Sequence, residues 1–162
     1  MSVMTNLANL PAATSLIDIH GSKATAATSR KLMAASEALN GPALPAALGH
    51  LIDLHVSRLN GCSYCKLLHL AEARDTGVDE ALIAQMGDQA AVAALEDRRL
   101  AAALAWAEAL TLPCDEAALD APRAELARHW SPEEQAAITV KIALINAWNR
   151  LGRGAWHVTE AA

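Results

Sequence analysis

The chain has 162 residues, 53% of them hydrophobic, only 3% aromatic and none Phe. Alanine dominates the apolar fraction, which favours close-packed helices in one domain spanning 1–162 over a β-sandwich. A formal net charge of −5, with 13 Lys and Arg that form no run, argues against nucleic acid as a partner.

Residues 1–27 read as an irregular or partly helical N-terminal arm ending in the small-residue run GSKATAATS. That arm lacks the basic and apolar blocks of a secretory leader. A helix is expected over 29–39, closed by Asn40-Gly41-Pro42. Leu44, Leu48, Leu51 and Leu59 then trace one helical stripe, with Ile52 and Val56 beside it. Asn60-Gly61 breaks this helix and offers a start for the next, from about Cys62 to Asp75, which Gly77 ends. A short helix follows over 79–86, and a strong one over 97–110. Another is expected over 115–128, with Pro122 as a candidate break. The last begins at a capping box, Ser131 with Pro132 and Glu134, and runs to about Arg150. No segment alternates as a strand does, so the expected class is all-α. Glu108 and Lys141 interrupt the longest apolar stretches, so no membrane span is expected. The chain reads as a soluble cytoplasmic protein, where three cysteines point to catalysis or metal rather than a structural disulfide.

The chemistry concentrates in NGCSYCKLLHLAEA, which starts at Asn60. On a helix, positions 62, 65 and 69 fall at about 0°, 300° and 340°, so Cys62, Cys65 and His69 share one face. The cysteines lie in the first turn, where free N–H groups and the helix dipole stabilise a thiolate. Such placement lowers a cysteine pKa from about 8.5 to somewhere between ~3.5 and ~7.5. His69, one turn beyond Cys65, is placed to exchange a proton with it, and the second cysteine can close a disulfide with the first. Two rival readings stay open. The cysteines can be small apolar filler, or they can join His69 and either His50 or His55 in a four-ligand zinc set. Three ligands on two turns of one helix converge poorly on a tetrahedral ion.

The stretches LIDLHVSRLNGCSYCKLLHLAEARDTGV, LAAALAWAEALTL and SPEEQAAITVKIALINAWNRLG, together covering about 44–152, resemble the alkylhydroperoxidase D-like group of the carboxymuconolactone decarboxylase superfamily. The resemblance implies an all-α helical bundle that assembles as a homotrimer or homohexamer. It implies thiol-dependent reduction of hydroperoxides without haem or metal, recharged by a thiol or a dihydrolipoyl-type protein. By the same resemblance Cys65 attacks the peroxide, Cys62 resolves the sulfenate and receives reducing equivalents, and His69 relays the proton. The family relay begins with a glutamate twelve residues before the first cysteine. His50 stands there in this chain, His55 replaces an arginine, and Tyr64 replaces a histidine. A neutral His50 can pass a proton but lacks the fixed negative charge that a carboxylate offers His69, so a less activated Cys65 is expected. The alternative function is a non-enzymatic metal-binding or redox-sensing protein on the same scaffold.

Among the remaining residues, His55 falls on the leucine stripe and is expected to be a hydrogen-bonded interior histidine. Asp53, one turn from His50, is placed to orient that ring, although such an Asp is more often solvated, and Cys114 is expected to be a bystander thiol. His20, His129 and His157 have no neighbours in sequence that suggest chemistry.

Overall fold

The computed structural model describes residues 13–39 and 41–158. Its helices are α1 (Ala26–Ala38), α2 (Ala46–Leu59), α3 (Ser63–Asp75), α4 (Glu80–Gln85), α5 (Gln89–Ala93), α6 (Arg98–Thr111), α7 (Asp120–His129) and α8 (Pro132–Ala155). A 3-10 turn, Glu116–Leu119, precedes α7. The all-α expectation holds with one small exception. Strand β1 (Ala13–Ser15) pairs antiparallel with β2 (Trp156–Val158), with Thr14 opposite His157. Three-residue strands carry too little alternation to read from sequence. Among the described residues, no helix is long and apolar enough to cross a membrane.

The helices start where side chains can satisfy their free amides. Asp79, Asp88, Asp97 and Ser131 each accept from the first turn of the helix that follows, and Ser131 and Glu134 complete the expected capping box. Pro122 does not split α7, because it sits in the first turn, where its missing N–H has no helical acceptor to lose. Of the expected irregular or partly helical arm over 1–27, residues 1–12 lie outside the described residues; the described part adds the short strand β1 to irregular turns, and α1 begins within it at Ala26. Asn40, placed in the expected turn, lies outside the described residues.

Helix α2 is the centre of the core. Ile52, Leu54 and Val56 are fully buried against Leu104 of α6 and Ile138 and Ile142 of α8. His55 is also fully buried, as expected: Gly87 donates its N–H to Nδ1 (2.8 Å), so Nε2 carries the proton and donates to Glu108 (3.1 Å). A second polar lock joins α2 to α8. Asn149, also fully buried, donates to Ser57 (2.9 Å), and its carbonyl accepts from Asn60 (3.0 Å).

This lock generates a stability prediction. Asn149→Ala leaves the buried Ser57 hydroxyl without its partner, removes one of the two acceptors of the Asn60 amide and opens a small void, so it should destabilise by about 2–3 kcal/mol. Urea unfolding measures the change; a loss below about 0.5 kcal/mol would show that the Asn149 network contributes little.

Candidate active site

The turn between α2 and α3 places the first cysteine. Gly61 adopts φ +67°, and the amides of Gly61 and Cys62 bond back to Arg58 (3.1 Å) and Ser57 (3.0 Å), which is a Schellman closure of α2. Cys62 is thereby also the N-cap of α3: its Sγ accepts from the Cys65 amide at 3.3 Å. The sulfurs of Cys62 and Cys65 are bonded as a disulfide, with Cα atoms 5.3 Å apart. The expected face is therefore real, although Cys62 caps the helix from just outside it.

Behind the disulfide lies Gly152, inside α8. A Cβ at this position would stand 2.7 Å from Cys65 Sγ and 2.8 Å from Cys62 Sγ, so a hydrogen is all the space admits. The two sulfurs differ in access. Cys62 is fully buried, whereas Cys65 lines a cavity of about 350 Å³. The sulfur that faces the cavity is that of Cys65, whereas the resemblance implies that reducing equivalents enter at Cys62.

His69, His50, Asp53, Glu72 and Lys141 line the same cavity, and Leu68, Leu144 and Trp148 contribute apolar wall. His20 lines it too, contrary to expectation, with its ring 5.4 Å from that of Trp156, which in turn stacks on Tyr64 at 5.3 Å. Sequence separation hid this: the turns after β1 carry His20 to the far end of α8.

The main correction concerns charge. His69 does not lack a carboxylate, because its Nδ1 lies 2.6 Å from Glu72 Oε2, one turn along the same helix. The sequence signal was an H-x-x-E spacing within the stretch that carries the cysteines. Asp53 is not solvated either. It is 3% exposed and ion-paired with Lys141 at 2.5 Å, and its Oδ2 stands 3.8 Å from His69. Burial pushes the Glu72 carboxyl up, but the His50 and His69 imidazoles beside it outweigh burial and hold the group at about 2, against an ordinary 4.5. Of the two imidazoles, His69 makes the well-formed contact. His50 Nδ1 lies 3.4 Å from Glu72 Oε2, poorly aligned, and this buried nitrogen has no hydrogen-bond partner among the described residues.

The zinc set considered from sequence is not assembled. The cysteine sulfurs are bonded to each other, and His55 is committed to Gly87 and Glu108 on the other side of α2. A different trio, His50, Asp53 and Glu72, brings its donor atoms within 4.8 Å of one another. There the Lys141 ammonium already supplies positive charge to Asp53, so a cation would have to displace it. Cys114 is a free, exposed thiol that does not line the cavity. His129 pairs with Glu125 at 3.1 Å, and His157 lies exposed in β2.

The depressed Glu72 carboxyl predicts an acid response. A carboxylate whose folded pKa is lowered contributes stability that is complete above its unfolded value and is lost as pH falls towards the folded one. For Glu72 that window runs from about 4.5 down to about 2. Carboxyl-carbon NMR should find a Glu72 midpoint close to 2; a midpoint near 4.5 would mean that the imidazoles do not hold its charge.

No curated protein matches the chain. Residues 25–109 match the carboxymuconolactone decarboxylase family. The chain is also similar to the crystal structure of an Agrobacterium tumefaciens protein of unknown function, described as a candidate antioxidant defence protein AhpD. The two share 31% identity and a TM-score of 0.77, over 87% of this chain and 94% of that one. Sequence match and shared architecture agree: the chain belongs to the carboxymuconolactone decarboxylase family and has the AhpD-like fold.

Proposed function

We propose that the protein is a thiol-dependent hydroperoxidase and disulfide reductase of antioxidant defence, cycling Cys62 and Cys65 between dithiol and disulfide. One observation carries the reading: Cys65 opens onto a cavity that also holds His69, while its bonded partner Cys62 is sealed behind it. A nucleophile that must meet a substrate belongs at the cavity, and a resolving thiol belongs within reach of it but out of solvent.

In this reading the Cys65 thiolate attacks the distal oxygen of a hydroperoxide. The O–O bond breaks, the alkoxide leaves and takes a proton relayed by His69, and Cys65 becomes a sulfenic acid. The Cys62 thiol then attacks the Cys65 sulfur, water leaves, and the observed disulfide forms. A dihydrolipoyl-type protein, or two thiols in turn, restores the pair. The first thiolate attacks the Cys65 sulfur and expels Cys62 as a thiolate at the helix N-terminus. The second attacks the reductant sulfur of the mixed disulfide, freeing Cys65 and leaving the reductant as a disulfide. His50 borders the cavity as a further proton carrier. Apolar wall from Leu68, Leu144 and Trp148 suits a peroxide with an organic group. A reducing compartment such as the cytoplasm would keep this cycle supplied. The homotrimer or homohexamer implied by the resemblance would cover exposed Met33 and Val140; a 17 kDa particle in light scattering would exclude it.

The division of labour is testable by single substitutions. Cys65→Ser should abolish rapid consumption of an organic hydroperoxide. Cys62→Ser should react once and stop, leaving a sulfenic acid on Cys65 that dimedone traps. Equal peroxide reactivity in the two variants would refute the assignment.

A further inference from the structure

Three chemically able side chains lie along one face of α3. Cys65, His69 and Glu72 stand at i, i+4 and i+7, within about 60° of one another at 100° per residue. Because Glu72 is ionised, its oxygen can only accept, so the 2.6 Å contact fixes the proton of His69 on Nδ1. Nε2 is then the ring nitrogen left to exchange a proton.

We propose that Glu72 is the positioning residue of this thiol site: its carboxylate fixes the ring and tautomer of His69 and places negative charge at the ring edge opposite the nitrogen that exchanges a proton with Cys65. The constellation is a Cys-His-Glu line on a single helix, in which the carboxylate comes from α3 and an imidazole occupies position 50 on α2. This rests on the thiol-enzyme reading above, since it assigns Glu72 a part in activating Cys65.

The surrounding charges leave Glu72 as the carboxylate available for this task. From α2, Asp53 faces His69 at 3.8 Å, but Lys141 of α8 ion-pairs with it and neutralises its charge. His50, also from α2, approaches the same Glu72 oxygen at 3.4 Å, so charge on His50 opposes charge on His69. Glu37 of α1 and His20, in the turns after β1, border the same cavity, and no hydrogen bond or ion pair joins either to Glu72. Charge separation favours a carboxylate held by hydrogen bond to the imidazole over one that a lysine already compensates.

The test reads thiolate formation, not peroxide turnover. In full-length reduced protein with Cys62→Ser and Cys114→Ser in every arm, Cys65 is the only thiol. Its iodoacetamide alkylation rate is followed from pH 5 to 9 with Glu72 intact, and with Glu72→Gln, Glu72→Asp or His69→Ala. Glu72→Gln should move the profile to higher pH and slow alkylation at pH 7 by about tenfold. Glu72→Asp keeps the charge and should recover part of the rate. Superimposable profiles for Glu72→Gln and the parent, with His69→Ala shifted, would overturn the proposal. If Glu72→Gln does not fold, the imidazole nitrogen-15 spectrum of the parent decides: a proton on His69 Nδ1 is expected, and the Nε2–H tautomer would contradict it. Failure of the peroxidase reading is separately visible, as a shifted alkylation profile in a protein that consumes no peroxide.

Discussion

The Schellman turn at Asn60-Gly61 is the constraint from which the site follows. It makes the Cys62 amide the last donor to α2 and the Cys62 sulfur the first acceptor of α3. One residue closes one helix and opens the next, and this sets the direction in which α3 leaves. The Asn60 side chain bonds to Asn146 and Asn149 at 3.0 Å each, which ties the turn to α8. With the turn held there, Gly152 comes beneath both sulfurs. A Cβ at 152 has nowhere to go, so the glycine permits the contact between α8 and the disulfide rather than weakening the helix for no return.

Electrostatics then sort the cavity into two pairs. Asp53 and Lys141 form a buried ion pair joining α2 to α8, whose chief consequence is that neither charge is free. Glu72 and His69 form the second pair, within α3, and His50 competes for the same oxygen. A lysine with its own counter-ion leaves the imidazoles as the groups able to exchange protons near Cys65. Tyr64 stacks on Trp156 along one wall with the His20 ring tilted against it, and β2 carries Trp156 there. The short β1–β2 pair therefore matters to the site out of proportion to its length.

Much of this was legible in the sequence because it is local. Capping aspartates, the Ser131 box, the Asn-Gly break and the periodicity of α2 and α6 are decided by neighbours a few residues away. The face shared by Cys65 and His69 needed only helical spacing. Helix α5 escaped because five residues are too few to show a period. The last turn of α8 runs past the expected end at about Arg150, and the reason a glycine sits there at 152 lies at positions 62 and 65. Expecting the anion at position 50 directed attention to α2, yet Glu72 stood three residues from His69 in the same stretch. Ion pairing of Asp53 with Lys141, 88 positions away (141 − 53), was not readable at all, since it depends on how α2 and α8 pack.

The central claim is that Cys62 and Cys65 act together as one peroxide-reactive couple. Thiol titration of the fully reduced protein, before and after one equivalent of an organic hydroperoxide, tests it most directly. The account predicts a fall from three free thiols per chain to one, with Cys114 remaining and a dithiol restoring the other two. An unchanged count, or the loss of a single thiol that proves to be Cys114, would contradict it.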